Sequence, residues 1–138
     1  MNTILIVDDE PEILDSVSEV LRKCGYNVIP RSDGESALSY VNGDNPVDLV
    51  ISDYRLPGIT GLDILMAIRQ RTPNLPVIFF TGNGTIENYL KATALGVFEF
   101  LNKPVRMKDL SRIVDAALRN EPAGEAEGTG SRRSKFLP

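Results

Sequence analysis

Acidic, hydroxyl and ammonium side chains follow four of the apolar runs in this sequence, each at the point where the run ends. Asp8 and Asp9 follow the first run, Asp53 the third, Thr81 the fourth and Lys103 the fifth. If the runs are parallel strands, their carboxyl ends lie at one edge of a sheet, where ligands of open α/β folds bind. Three carboxylates, a hydroxyl and an ammonium there would suit a divalent cation and a phosphoryl group.

The acidic pair after the first run is the candidate cation site. Adjacent carboxylates such as Asp8 and Asp9 repel each other unless a cation lies between them, and Mg²⁺ prefers oxygen ligands. The alternative is that one aspartate caps the helix that follows while the other is solvated, because acidic residues are common at helix N-termini. The pair by itself leaves both interpretations open.

Asp53 is the candidate nucleophile, since a carboxylate that attacks phosphorus gives an acyl phosphate. The reaction needs a metal to screen the repulsion between anions and an ammonium to stabilise the transferring oxygens, roles open to Asp8, Asp9 and Lys103. The Thr81 hydroxyl would contact a phosphoryl oxygen. Taken singly, Asp53 could be a turn residue and Lys103 an exposed loop lysine; the combination favours a site.

Strand-like and helix-like patterns alternate five times along the chain. The predicted strands are Thr3–Val7, Asn27–Pro30, Asp48–Ser52, Val77–Phe80 and Phe98–Leu101, most of them short apolar runs typical of strands covered on both faces. A first helix has Pro11 in its first turn, carries the stripe Ile13, Val17, Val20 and Leu21 and ends at Gly25. A second opens with a capping-box pattern at Ser32–Glu35, and a third opens at Thr60. A fourth covers about 86–95 and ends at Gly96, and a fifth covers about Met107–Arg119.

This alternation predicts an α/β fold, a doubly wound (βα)5 arrangement around a five-stranded parallel sheet with flavodoxin-like topology. The folded domain should cover residues 1–120. Residues 121–138 lack apolar periodicity and are predicted to be a disordered tail or linker.

Composition restricts the class of protein. The net charge of −4 argues against direct binding of nucleic acid, because that affinity depends on neutralising phosphates. A single cysteine, Cys24, excludes an intramolecular disulfide. The sequence shows neither a signal peptide nor a membrane-spanning run, so we expect a cytoplasmic protein.

In these residues and their spacing, the chain resembles the receiver domain of two-component response regulators, the CheY-like superfamily, over residues 2–119. The motifs that carry the resemblance are Ile-Leu-Ile-Val-Asp-Asp-Glu at 4–10, Asp-Tyr-Arg-Leu-Pro-Gly at 53–58, Gly61, Thr81 and Lys103-Pro104.

The resemblance implies a bacterial switch that is phosphorylated on Asp53 by the phosphohistidine of a sensor histidine kinase or a phosphotransfer protein. It implies Mg²⁺ held by Asp8, Asp9, Asp53 and the backbone carbonyl of Arg55. It also implies that Thr81 moves towards the phosphoryl group while an aromatic, here Phe100, turns inward. The surface of the fourth helix, fifth strand and fifth helix would then bind a downstream protein or a second copy of the chain.

Three features depart from the usual family pattern or add to it. Gly82 stands where alanine is common, Asn83 follows it, and Arg55 places a long cation at the rim of the site. We hypothesise that Arg55 and Asn83 tune the lifetime of the phosphorylated state through the hydrolytic water.

Two other interpretations stay open. The chain could be a receiver domain cut from a longer regulator such as a transcription factor. It could also be a magnesium-dependent phosphatase with Asp53 as nucleophile, although similar phosphatases carry a general-acid aspartate where this chain has Arg55.

Overall fold

Five parallel strands form one sheet, and helices cover both of its faces. The computed structural model describes residues 1–82 and 89–119. Within these ranges the strands are β1 (Thr3–Val7), β2 (Asn27–Arg31), β3 (Leu49–Asp53), β4 (Val77–Thr81) and β5 (Glu99–Asn102). The helices are α1 (Pro11–Lys23), α2 (Gly34–Asn42), α3 (Gly61–Arg71), α4 (Tyr89–Ala94) and α5 (Met107–Leu118). None of these described helices is long and apolar enough to cross a membrane.

The strand order is β2-β1-β3-β4-β5, with every neighbouring pair parallel. This confirms the predicted doubly wound sheet and its flavodoxin-like topology. The chain moves outward from β1 to β2 and then crosses back to β3, so the order reverses between β1 and β3. A crevice forms beyond the carboxyl ends of the strands at such a reversal.

Four strands, β2 to β5, end one residue later than the sequence predicted, because pairing continues past the apolar runs. Asp53 pairs with Phe80, and Thr81 pairs with Asn102. Asp53 and Thr81 are therefore the last residues of β3 and β4 rather than the first residues of loops. Two predicted starts, at Asp48 and Phe98, were wrong by one residue for β3 and β5. Sheet pairing thus holds the backbone of both site residues.

Helix α1 shows where its predicted apolar stripe was incomplete. Val17 and Leu21 are buried as expected, but Leu14 and Ser18 complete the buried face, while Ile13 and Val20 are only partly buried. The end of the helix agrees with the prediction, since Gly25 has φ of 96°, in the left-handed region that glycine adopts without steric cost.

The starts of α2 and α3 use different caps. The predicted capping box at Ser32–Glu35 was wrong: Asp33 is the N-cap, and its side chain accepts a 2.7 Å hydrogen bond from the Ser36 amide. Asp33 competes better because its carboxylate lies directly before the first helical residue. A reciprocal capping box occurs instead at α3, between Thr60 and Asp63.

The C-terminal end of α4 is tied to α3 by Arg69. Its guanidinium donates hydrogen bonds to the carbonyl oxygens of Leu95, Leu75 (2.6 Å) and Gly96 (3.1 Å). Gly96, with φ of 77°, ends the helix as predicted. The predicted start of this helix near residue 86, the proposed role of Asn83 and the predicted tail at 121–138 lie outside the described residues.

The core is divided by the sheet into two layers. Alternate residues of each strand face opposite layers, so Phe79 packs with α2 and α3 whereas Phe80 packs with α1 and α5. All residues of β1, β3 and β4 are buried. Central strands covered on both faces are rigid supports for whatever side chains their ends present.

Candidate functional site

The Lys103 ammonium lies among three carboxylates at the carboxyl edge of the sheet. Its Nζ is 3.0 Å from Oδ2 of Asp8, 3.0 Å from Oδ2 of Asp53 and 2.6 Å from Oε1 of Glu10. The Asp8 side chain is fully buried, those of Asp53 and Lys103 nearly so, and only Glu10 is largely exposed. Residues that are far apart in the sequence therefore form one partly buried ionic cluster.

Backbone hydrogen bonds at the strand ends position this cluster. The Asp8 amide donates to the Arg31 carbonyl at the end of β2 (3.1 Å), and Oδ1 of Asp8 accepts from the Glu10 amide (2.9 Å). The Lys103 amide donates to the Thr81 carbonyl (2.8 Å), and the peptide bond from Lys103 to Pro104 is cis. The ladder between β4 and β5 thus extends to the lysine itself.

Helix α1 does not use either aspartate as its N-cap. The N-cap position is Glu10, whose side chain makes no capping hydrogen bond and contacts Lys103 instead. Pro11 lies in the first turn, as predicted. The alternative in which Asp8 or Asp9 serves as the N-cap is therefore wrong.

Burial and charge act on the two central groups in opposite directions. Burial raises the pKa of Asp53 above its usual value; Lys103 lowers it, the charges of Asp8 and Asp9 raise it, and the net change is upward. Burial alone would lower the pKa of Lys103, but hydrogen bonds to Glu10, Asp53 and Asp8 outweigh it and raise the pKa well above its usual value. The lysine therefore stays charged, whereas the ionised form of Asp53 is less favourable in the folded protein than in water.

The carboxylates also fit a hard divalent cation. One oxygen each from Asp8, Glu10 and Asp53 lie within 4.8 Å of one another. Oδ2 of Asp8 is buried, and within the described residues its close polar contact is the Lys103 ammonium at 3.0 Å. Such an all-oxygen set of carboxylates is what Mg²⁺ favours.

Two predicted metal ligands lie beside this cluster. Asp9 is exposed and is not one of the three clustered carboxylates, although its charge acts on Asp53. Arg55 is exposed two residues beyond Asp53, in the loop that leads to α3. Their roles as ligands, through the Asp9 carboxylate and the Arg55 carbonyl, remain predictions.

The predicted switch residues contact β5 and α4. The Thr81 hydroxyl, which is buried, donates to Oδ1 of Asn102 at 2.8 Å. The Phe100 ring is 8% exposed, with its centroid 6.0 Å from that of Phe79 and 5.2 Å from that of Tyr89. In this structure, therefore, Thr81 is bonded across to β5 and Phe100 already points inward.

Sequence reasoning missed two residues of the site. Glu10 belongs to the ionic cluster, and its signal was its place as the third member of the acidic run at 8–10. Asn102 accepts from the Thr81 hydroxyl, and its signal was a polar side chain directly before Lys103. Both assignments depend on side-chain directions at strand ends that periodicity does not give.

Comparison with known proteins places the chain in a family. Residues 4–115 match the response regulator receiver domain. The transcriptional regulatory protein CpxR of Escherichia coli is 35% identical over 137 residues, which cover 99% of this chain and 58% of CpxR. The transcriptional regulatory protein GlrR of the same species is 38% identical over 115 residues, which cover 83% of this chain and 26% of GlrR.

A solved structure agrees with the sequence matches. The receiver domain protein from Clostridium thermocellum is 36% identical and superposes with a TM-score of 0.80, covering 87% of this chain and 96% of that one. The strand order, the acidic edge of the sheet and the match over residues 4–115 lead to the same assignment. The chain belongs to the response regulator receiver domain family of two-component systems.

Proposed function

We propose that this chain is a phosphorylation-activated signalling switch in which Asp53 accepts a phosphoryl group from a sensor histidine kinase or a phosphotransfer protein. The observation that carries the proposal is the pairing of Asp53, at the end of a rigid central strand, with the Lys103 ammonium 3.0 Å away. An anionic nucleophile beside a fixed cation suits attack on an anionic phosphoryl group.

The transfer conserves atoms and charge without a further reactant. A carboxylate oxygen of Asp53 bonds to phosphorus while the bond from phosphorus to the donor's imidazole nitrogen breaks, and that nitrogen keeps the electron pair. The ring leaves as neutral imidazole because its other nitrogen carries a proton. The product is an acyl phosphate on Asp53. Hydrolysis restores the Asp53 carboxylate when water attacks phosphorus, the carboxylate oxygen leaves and inorganic phosphate is released. Lys103 lies where it can hold the phosphoryl oxygens in both steps.

Asp8 and Asp53 would hold Mg²⁺, with Asp9 and the Arg55 carbonyl as the further ligands that the family resemblance implies. When bound, the ion would neutralise the negative charge that gathers between carboxylates and phosphoryl group. The burial of Oδ2 of Asp8 beside a cation supports this assignment, because a buried carboxylate needs a positive partner. Lys103 would then be released from Asp8 and be available to the phosphoryl group.

The proposed switch starts from the partners that Thr81 and Phe100 contact in this structure. A dianionic group on Asp53 would attract the Thr81 hydroxyl away from Asn102, breaking its 2.8 Å hydrogen bond. Such a change would alter the surface formed by α4, β5 and α5, where Phe100 packs against Tyr89 of α4. Protein partners, including a second copy of the chain, would then bind according to the difference in affinity between the two states.

The second candidate is a receiver domain that belongs to a longer regulator. It is favoured because the chain spans 58% of CpxR and 26% of GlrR, both named as transcriptional regulators. The acidic composition argues against DNA contact by this chain itself, so such contact would belong to another region. The position of the stop codon in the encoding gene distinguishes the two candidates.

The switch is tested by amide NMR of the full chain with Mg²⁺ and phosphoramidate, a small donor with a phosphorus–nitrogen bond. We expect shifts at Thr81, Phe100 and along α4 and α5, and none in Asp53→Asn. Shifts confined to the residues next to Asp53 in a fully phosphorylated sample would contradict the proposed output surface.

A further inference from the structure

The turn between β2 and α2, residues 31–34, contacts both loops that carry the site without adding a side chain to the carboxylate cluster. At one end, the Arg31 carbonyl accepts the hydrogen bond from the Asp8 amide at 3.1 Å. At the other end, Gly34 packs against Ile59 in the loop between β3 and α3. One short turn thus bridges the two halves of the site.

The contact between Gly34 and Ile59 leaves no space for a side chain. A Cβ atom on Gly34 would lie 2.4 Å from the Ile59 carbonyl oxygen and 3.0 Å from the Ile59 Cβ. Gly34 is the first residue of α2 and its φ is not in the left-handed region, so glycine is needed for close approach alone. Because the obstacle is backbone, no rotamer change can relieve it.

The two ends of this loop are held together just as tightly where α3 begins. A Cβ atom on Gly61 would lie 2.7 Å from the Asp53 carbonyl oxygen and 3.0 Å from the Tyr54 Cα. The Gly61 amide also donates to the Tyr54 carbonyl at 3.1 Å. With both ends fixed, a displacement at Ile59 must be absorbed by the few residues that lead back to Asp53, including Arg55.

We propose that the turn at residues 31–34 is a positioning element of the cation site, and that Gly34 sets the distance between the Asp8 carboxylate and the Arg55 carbonyl. The inference rests on the proposed function, which makes those two groups ligands of Mg²⁺. Helix α2 would then influence Mg²⁺ affinity although none of its side chains lies in the carboxylate cluster. Metal sites depend in this way on the groups that support their ligands.

The test compares Gly34→Ala with Gly43→Ala at the two ends of α2, in the full unphosphorylated chain. A Cβ on Gly43 would come too close only to Nδ2 of Asn45, 2.9 Å away at the tip of an exposed side chain that can turn aside. The carbonyl oxygens of Ser39 and Tyr40 would be at an ordinary contact distance of 3.6 Å. Isothermal titration calorimetry with Mg²⁺ should give a Kd about tenfold higher for Gly34→Ala. Gly43→Ala should keep the wild-type Kd.

Circular dichroism and urea unfolding establish that each variant is folded before titration. If Gly34→Ala does not fold, Ile59→Ala replaces it, because this change trims the side chain that holds the loop against the core and leaves Gly34 intact. It should also raise the Kd. A folded Gly34→Ala, or in its place Ile59→Ala, with the wild-type Kd overturns the inference alone. A wild-type chain that binds no Mg²⁺ overturns the proposed function as well.

Discussion

Replacing Lys103 with methionine should have a larger effect than any other single change of charge in the described part of the chain. Methionine keeps much of the side-chain volume but removes the ammonium that contacts Asp8, Glu10 and Asp53 at 2.6–3.0 Å. The cluster would then hold three carboxylates with no cation in contact. Two of them, Asp8 and Asp53, have side chains no more than 9% exposed.

The magnitude follows from that burial. Removing one partner of a buried ion pair typically destabilises a protein by about 3–5 kcal/mol, because it leaves an unpaired buried charge. Glu10, whose side chain is 57% exposed, is screened by water and should add little. We therefore expect Lys103→Met to lower the free energy of unfolding by about 3 kcal/mol at neutral pH without Mg²⁺.

Mg²⁺ should reverse most of this loss. A ligand that binds only the folded state stabilises it by an amount that grows with its affinity, and a cluster without Lys103 should bind the ion more tightly. The assay is urea unfolding at neutral pH in EDTA and in excess Mg²⁺. Lys108→Met, at an exposed position of α5, is the matched control. It should change neither the free energy of unfolding in EDTA nor the gain in that free energy on adding Mg²⁺.

Equal unfolding free energies for wild type and Lys103→Met in EDTA would refute the reasoning. So would an Mg²⁺-induced gain in Lys103→Met no larger than that of the wild type. Either result would mean that the ammonium does not neutralise the carboxylates in the resting protein.

Further predictions concern the supports of the site and its protonation. Thr60→Ala should lower the free energy of unfolding by about 1 kcal/mol, since it removes the capping box, whereas Thr72→Ala should cost less in the same urea titration. Arg69→Met should cost about 2 kcal/mol because it leaves carbonyl groups without their donor. Carboxyl NMR should show Asp53 protonating at higher pH than Asp33, whose pKa is lowered by a helix amide. Asp53 therefore favours the folded state below its usual pKa and loses this effect as pH rises through its folded value, whereas the stabilisation from Asp33 is lost as pH falls.

The sequence predicted the fold well because the signals were redundant. Apolar runs gave the strands, and glycines such as Gly25 and Gly96 marked the helix ends, both with positive φ in the structure. The sequence was enough to predict that Asp8, Asp53 and Lys103 form one site, because the carboxyl ends of parallel strands lie at one edge of the sheet. That reasoning depends on topology and needs no side-chain geometry.

The errors lie where local patterns were ambiguous. Ser32 and Asp33 are both good N-caps, and only the structure shows that Asp33 takes the position. The run of three acids marked Glu10 as a candidate but could not show its contact with Lys103, because the direction of a side chain after a strand depends on the following turn. The contact of Gly34 with Ile59 could not be predicted from the sequence either, because it brings the backbones of two distant segments together.

Intact-mass spectrometry tests the central claim most directly. The full chain is incubated with acetyl phosphate and Mg²⁺, beside an Asp53→Asn variant and a sample in EDTA. The account predicts one added phosphoryl group on the wild type with Mg²⁺ and none on the variant or in EDTA. Equal phosphorylation of Asp53→Asn would contradict the claim that Asp53 is the acceptor.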